Sequence, residues 1–246
     1  MLAQEIPKIV DWLRNQVEAA GAKGLVVGIS GGIDAAVTAA LIKKAYPDNS
    51  LGIIIPIKSD PQDLVDARLV VETLKLHAYE LDLTPEHQSM MDKSWQELEN
   101  IFPAEQLHRR NADANLRARL RMSALYAAAN ALNYMVVGTD NKAEYFTGYF
   151  TKYGDGACDL LPIVDFTKSE VRELARLLGI PDRIINKAPS AGLWEGQTDE
   201  AEMGTTYTHI DAYLNGNPVP ERDQEIIERM HRVSEHKRKL PPGYRR

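Results

Sequence analysis

The pattern of apolar and polar positions along the first half of the chain predicts alternating helices and strands. Apolar residues within 2–20 recur at the spacing of an amphipathic helix that packs on a core. Four short apolar runs follow, and their length and content predict buried parallel strands. These runs lie at 25–29, 51–57, 77–83 and 134–137. Helical patterns separate them, at 34–45, 61–76, 85–101 and 112–132.

Repeated alternation of strand and helix predicts an α/β fold, a doubly wound parallel sheet with helices on both faces. In such folds the ligand site lies beyond the carboxyl ends of the strands. Residues 139–165 and 189–202 lack a clear period, and long loops in a compact domain are commonly functional. Three later helices are predicted, at 168–178, 205–214 and 222–236, the last two packing on an edge or a partner subunit.

Composition narrows the class of protein. The 246 residues are 44% hydrophobic, which is enough for one well-packed domain spanning 1–246. The single cysteine, Cys158, excludes an internal disulfide and fits a cytoplasmic protein. No stretch reaches the roughly 18 consecutive apolar residues of a membrane span, and the amino terminus lacks the pattern of an export signal. We therefore expect a soluble protein that does not act at a membrane.

The formal net charge of −6 argues against nucleic acid as the partner, because nucleic-acid binding relies on a cationic surface. Basic residues are nevertheless concentrated at 109–121 and 231–246. These clusters are either solvated helix faces or the site of a small phosphorylated ligand.

The strongest chemical signal is the turn that follows the first predicted strand, where Ser30-Gly31-Gly32-Ile33-Asp34 opens a helix. Glycines let backbone N–H groups converge, the helix amino terminus adds partial positive charge, and Ser30 adds a hydroxyl. The turn is neither the Rossmann nor the P-loop motif. It predicts a pocket for phosphate or pyrophosphate, although an ordinary tight turn would share some of these features.

Acidic residues beside this turn predict a divalent cation. Asp34 would repel a phosphate unless a cation bridged the two, and a second carboxylate, Glu144, follows the strand at 134–137. Because parallel strands end at one edge of a sheet, Asp34 and Glu144 are expected to share one Mg²⁺ ion, with the Thr139 hydroxyl near the nucleotide. Asp34 could instead simply cap its helix.

The S-G-G-x-D turn resembles the signature of the ATP pyrophosphatases, and further segments narrow this resemblance to the NAD synthetase family. The resemblance covers nearly the whole chain, and residues 150–162, FTKYGDGACDLLP, are its most specific part. The supporting segments are NLRARLRM at 115–122, GTDNKAE at 138–144, TK at 167–168, PSAGLW at 189–194, QTDE at 197–200 and EHKR at 235–238.

The resemblance implies ATP-dependent amidation of deamido-NAD by ammonia, giving NAD, AMP and pyrophosphate. It also implies specific site residues, with Asp34 and Lys168 as the catalytic pair and Asp34 and Glu144 as ligands of Mg²⁺. The implied ATP-binding residues are Gly28, Ile29, Ser30, Gly31, Gly32, Ile33, Asp34, Ala35, Thr139, Lys168 and Ser190. The implied deamido-NAD-binding residues are Arg121, Lys152, Asp159, His236 and Lys237. Sites of this family lie at a homodimer interface, so a homodimer is expected.

The chain departs from the family pattern at Ala35, where a serine usually follows the aspartate. One hydroxyl donor is therefore missing, and we expect weaker phosphate binding rather than loss of activity. This departure keeps a non-catalytic, nucleotide-binding regulatory subunit as an alternative. Another synthetase of the same fold, such as one that aminates a purine nucleotide, is a second alternative.

The nitrogen donor is predicted to be ammonia. Only about 20 residues precede the first predicted strand, which leaves no room for a glutaminase domain. Ammonia supplied by a separate glutaminase is an open alternative.

Overall fold

The computed structural model describes residues 2–190 and 198–244. Its centre is a sheet of four parallel strands in the order β3-β2-β1-β4. The strands are β1 (Gly24–Gly28), β2 (Ser50–Ile54), β3 (His77–Glu80) and β4 (Tyr134–Val136). The chain adds β2 and β3 on one side of β1 and β4 on the other, so the strand order reverses between β1 and β4.

Eleven α-helices lie in the described ranges. They are α1 (Glu5–Ala19), α2 (Ile33–Ala45), α3 (Pro61–Leu74), α4 (Thr84–Glu99), α5 (Arg109–Leu132), α6 (Lys142–Thr147), α7 (Lys168–Leu177), α8 (Asp182–Ile185), α9 (Asp199–Met203), α10 (Tyr207–Leu214) and α11 (Glu221–Val233). Short 3₁₀ turns occur at Leu2–Gln4, Ala104–Gln106 and Glu235–Lys237. Among the described residues, no helix is long and apolar enough to cross a membrane.

Helices cover both faces of the sheet, which confirms the predicted fold class. Leu25 and Val27 of β1 belong to one core, shared with α1, α2 and α7. Val26, which points to the opposite face, belongs to a second core that includes Ala129 of α5. Alternate residues of one strand thus enter different cores, as a strand covered on both faces requires.

The third strand differs from its prediction. The apolar run at 77–83 was expected to be a buried strand, but all four residues of β3 are exposed. β3 occupies the sheet edge, where only β2 pairs with it. Apolar content alone could not reveal this position, so the prediction of burial was wrong while the prediction of a strand was correct.

The carboxyl-terminal helices pack beside the site. Helix α10 contacts α6 and α7, and α11 contacts α6. Tyr207, Ile210 and Ile227 form a third, smaller core with Ala143 of α6. The end of the chain therefore supports the short helix that follows β4.

Candidate active site

A cavity of about 520 Å³ opens at the carboxyl edge of the sheet, where the strand order reverses. This is the expected ligand position in an open α/β sheet, and the volume suits a small-molecule ligand. Ten of the eleven residues predicted to bind ATP line it. They are Gly28, Ile29, Ser30, Gly32, Ile33, Asp34, Ala35, Thr139, Lys168 and Ser190.

The turn after β1 is held close to α3. Gly31 has φ +82°, and a Cβ at this position would lie 2.5 Å from the Asp63 carbonyl oxygen. Gly31 therefore faces α3 rather than the cavity, and its predicted contact with ATP is the one that the cavity lining leaves out. Helix α2 begins at Ile33, and the N–H groups of a first helical turn have no intrahelical partner. This wall of the cavity is therefore chemically suited to an anion.

Lys168 lies between the two predicted metal ligands. Its Nζ is 2.5 Å from Asp34 Oδ2 and 3.1 Å from Glu144 Oε1. The lysine side chain is 3% exposed, whereas the two carboxylates are about one-seventh exposed and line the cavity. Burial disfavours the charged amine, but Asp34 and Glu144 outweigh this effect and raise the pKa of Lys168. The lysine is therefore a fixed cation.

Helix amino termini position these side chains. Asn141 caps α6, and its side-chain oxygen accepts from the N–H groups of Ala143 and Glu144. Its amide donates to Asp34 Oδ1 at 3.0 Å, so one residue links α6 to α2. Thr167 caps α7, whose first residue is Lys168. The Asp211 carboxylate accepts from the Lys168 N–H at 3.1 Å and so fixes this helix end.

The ionised form of Glu144 is disfavoured by this arrangement. Burial raises its pKa to about 7, and Lys168 partly opposes that shift. Asp140, which also lines the cavity, is 5% exposed, and burial together with neighbouring carboxylates raises its pKa. The cavity thus concentrates acids that an added cation would stabilise.

The two carboxylates fit Mg²⁺ as a shared ion with a nucleotide. Mg²⁺ is commonly held by one or two carboxylates together with substrate phosphates. No group of three or more metal-ligating side chains is found in the described ranges, so protein ligands alone would not complete its shell. Asp34 and Glu144 would hold the ion, with phosphate oxygens supplying further ligands.

Only two of the five residues predicted to bind deamido-NAD line the cavity. Arg121 and Lys237 line the cavity. Lys152, Asp159 and His236 are described but lie outside its lining. Asp159 accepts hydrogen bonds from the Tyr126 hydroxyl and the Val136 N–H, and Lys152 donates to the His236 carbonyl at 2.6 Å. The ligand roles of all five residues remain predictions.

Three residues of the cluster were missed from the sequence. Asn141 had a local signal, because Asn141 and Glu144 have the spacing of a capping box. Asp199 had a signal only as part of the segment QTDE at 197–200, and Tyr207 had none. The Tyr207 hydroxyl is 2.9 Å from Glu144 Oε1 and 3.0 Å from Asp199 Oδ2. Part of the segment predicted to be irregular, residues 191–197 with Trp194 and Gln197, lies outside the described residues.

Covalent catalysis by cysteine receives no support. Burial raises the pKa of Cys158 to about 12, so the thiol stays protonated near neutral pH. The geometry instead assembles an anion-binding turn, a buried lysine and paired carboxylates at the switch point of a parallel sheet. That combination defines an enzyme acting on a nucleotide's phosphates.

Comparisons with known proteins identify the family. The model of the family NAD synthase matches residues 5–241, so the chain belongs to the NAD synthase family and is an enzyme of that family. The chain is 56% identical to the NH(3)-dependent NAD(+) synthetase of Alkaliphilus oremlandii, across 98% of this chain and 97% of that protein.

Solved structures agree with this assignment. The NMN synthetase from Francisella tularensis has a TM-score of 0.92 and 40% identity, covering 99% of this chain and 98% of its own. The NH3-dependent NAD synthetase from Campylobacter jejuni has a TM-score of 0.77 and 28% identity, covering 100% of this chain and 99% of its own. These relatives favour NAD synthase over the purine-aminating and regulatory alternatives.

Proposed function

We propose that this chain is a C–N ligase that uses ATP and ammonia to convert deamido-NAD into NAD, the last step of NAD biosynthesis. The observation that carries the proposal is the contact of Lys168 with both Asp34 and Glu144 at the switch point of the sheet. The curated relatives named for NH(3)-dependent NAD(+) synthesis, each matched along nearly all of this chain, support the substrates.

The reaction has two steps. The nicotinate carboxylate attacks the α-phosphorus of ATP, forming a mixed anhydride and releasing pyrophosphate. Ammonia then attacks the activated carbonyl, which expels AMP and leaves the amide after proton loss. In the first step the amides of the 28–35 turn would bind the departing pyrophosphate, and the Lys168 ammonium would stabilise its developing charge.

We assign Asp34 and Glu144 to Mg²⁺. When bound, the ion would supply charge neutralisation at the phosphates of ATP. The chain's own contribution is to orient both carboxylates, through Lys168, Asn141 and the α6 cap. The dependence of ATP binding on Mg²⁺, measured by calorimetry with and without EDTA, tests this assignment.

We propose a homodimer. Two kinds of observation support it: Lys152, Asp159 and His236 lie outside the cavity of a single chain, and several apolar side chains are exposed. Ile101 is 69% exposed, Met90 51% and Phe102 46%. Sedimentation equilibrium distinguishes a dimer from a monomer, and a monomer across the working concentration range would refute this proposal.

Placement in the cytoplasm is proposed on the single cysteine alone.

A second acceptor, nicotinate mononucleotide, deserves the same assay. The observation in its favour is the TM-score of 0.92 to the NMN synthetase, against 0.77 to the Campylobacter jejuni NAD synthetase. Its product would be NMN, made by the same adenylation and amidation on a smaller substrate.

The test is pyrophosphate release from Mg·ATP and ammonium with deamido-NAD, nicotinate mononucleotide, a purine nucleotide or no acceptor. Mass detection identifies the amide formed. NAD formation with the highest kcat/KM for deamido-NAD is the expected result, and a higher value for the mononucleotide would favour the second acceptor. Nucleotide binding without pyrophosphate release from any acceptor would overturn the proposal in favour of a regulatory subunit.

A further inference from the structure

Tyr207 joins the carboxylate–lysine cluster from a distant part of the chain. It is the first residue of α10, and its side chain is fully buried, at 2% exposure. Its N–H donates to Glu200 Oε1 at 2.9 Å, which fixes the start of the helix. The hydroxyl reaches Glu144, and the ring centroid lies 4.6 Å from Lys168 Nζ. One side chain thus contacts two members of the cluster.

The contacts of the Glu144 carboxylate show what the hydroxyl adds. Oε1 accepts from Lys168 at 3.1 Å and from Tyr207 at 2.9 Å. Oε2 accepts from the Asn141 N–H, at a longer distance of 3.3 Å. An ionised carboxylate has about four acceptor positions, so Oε1 is fully used while Oε2 keeps capacity for another partner. Rotation of the carboxylate would break the bonds at Oε1.

We propose that the Tyr207 hydroxyl is a positioning group that holds the Glu144 carboxylate in the orientation needed to bind Mg²⁺. This inference rests on the proposed metal role of Glu144. A phenol carries one proton, and Asp199 Oδ2 at 3.0 Å is its alternative acceptor. Glu144 Oε1 is the nearer acceptor, at 2.9 Å, and the hydrogen bond of Tyr207 is assigned to it.

The substitution Tyr207→Phe isolates the hydroxyl, because the ring next to Lys168 is kept. The matched control is Tyr213→Phe in the same helix, whose hydroxyl contacts the exposed Glu228 at 3.3 Å. The probe is Mn²⁺, titrated by electron paramagnetic resonance into the full chain saturated with a non-hydrolysable ATP analogue. Tyr207→Leu, which also removes the ring, is the second variant.

We expect Tyr207→Phe to weaken Mn²⁺ binding about tenfold, the size of a lost hydrogen bond to a charged group. Tyr213→Phe should bind as the wild type does, and Tyr207→Leu should bind more weakly than Tyr207→Phe. In turnover, Tyr207→Phe should need more Mg²⁺ for half-maximal rate and should recover kcat at high Mg²⁺, a pattern that a merely structural tyrosine would not give.

Wild-type Mn²⁺ affinity in Tyr207→Phe, with only a lowered melting temperature, would overturn the inference. Failure of the wild type to bind Mn²⁺ with the nucleotide would overturn the metal assignment and this inference together. Normal Mn²⁺ binding without turnover of deamido-NAD would refute the proposed reaction alone, and the difference between wild type and Tyr207→Phe would still support the positioning role.

Discussion

The two sides of the cavity differ in the groups that their cations contact. On the side of the 28–35 turn, Lys168 is paired with two carboxylates, and each of these has a second fixed donor. On the opposite side the cations contact neutral groups. Arg121 donates to the Ile55 carbonyl and Ser59 hydroxyl, and Lys237 donates to the Gly148 and Phe150 carbonyls.

This difference indicates which charge each side lacks. On the paired side two carboxylates face one lysine, so the side carries an excess of negative charge that an added cation would offset. Arg121 and Lys237 form no ion pair with any residue in 2–190 or 198–244, although burial lowers the pKa of Arg121 only to about 10 and leaves it charged near neutral pH. Asp155 attracts both cations without forming an ion pair with either. Cations whose N–H groups are not bound to a carboxylate suit an anionic ligand such as a dinucleotide's pyrophosphate or carboxylate.

The largest effect should follow loss of the balancing cation, by Lys168→Met. Breaking a buried ion pair costs about 3–5 kcal/mol of stability, and loss of a charge-stabilising group lowers the rate about 10²–10³-fold. Stopped-flow pyrophosphate release and thermal unfolding measure both. Lys142→Met, at the start of α6, is the control, and a wild-type rate in Lys168→Met would contradict the assigned role.

The next largest effect is expected for Gly148→Ala, which tests the close packing of Ser234 on the glycine that ends α6. Gly148 has φ +67°, and an added Cβ would lie 2.2 Å from the Ser234 Cβ. Left-handed strain costs about 1 kcal/mol, and overpacking adds about 1–3 kcal/mol. Gly216→Ala is a matched control, with φ +75° and no atom within 4 Å of the added Cβ. If urea titration gave the same loss of unfolding free energy for both variants, the close approach to Ser234 would be unimportant.

A third substitution, Lys237→Met, tests the side with unpaired cations. Loss of a hydrogen bond to a charged ligand is worth about 1.5–3 kcal/mol, so the KM for deamido-NAD should rise about 10–100-fold while that for ATP changes little. Steady-state kinetics with each substrate varied in turn give this comparison. Lys239→Met, whose amine pairs with Glu235 on the surface, should have no effect. An equal rise in both KM values would place Lys237 on the ATP side instead.

The smallest effect concerns pH. His87 of α4 is fully buried, with Nε2 near the Asp113 carbonyl and carboxylate, and burial lowers its pKa despite these acceptors. Lys58 and Arg117 also disfavour the protonated ring. The unfolded state then binds more protons below about pH 6.5, so stability from neutral His87 is present above that pH and is lost as pH falls.

Replacing His87 with glutamine should therefore flatten the fall in unfolding free energy between about pH 7 and pH 5. Urea titrations at both pH values measure this slope. His77→Gln, on the exposed edge strand, should leave it unchanged, and an unchanged slope in the His87 variant would disprove the assignment.

Periodicity predicted the main elements because they are long or fully covered. Strands β1 and β2 and the longer helices lie within a few residues of their predicted bounds. Helices α6, α8 and α9 have four to six residues, less than two turns, and so show no apolar period. The 28–35 turn and Glu144 were found through local chemistry. Tyr207 reaches the site because α10 packs on α6 and α7, and no local sequence pattern predicts that packing.

Helix α6 connects the cluster of Lys168, Asp34 and Glu144 to the carboxyl-terminal residues. Its first turn contains Glu144. The Arg238 guanidinium donates to the carbonyls of Tyr145 and Phe146, and the Ser234 hydroxyl donates to the Thr147 carbonyl. During synthesis on a ribosome, α6 is made more than 80 residues before Arg238. The hydrogen bonds that hold α6 in place therefore cannot form until Arg238 has left the ribosome, so this helix reaches its final position late in synthesis.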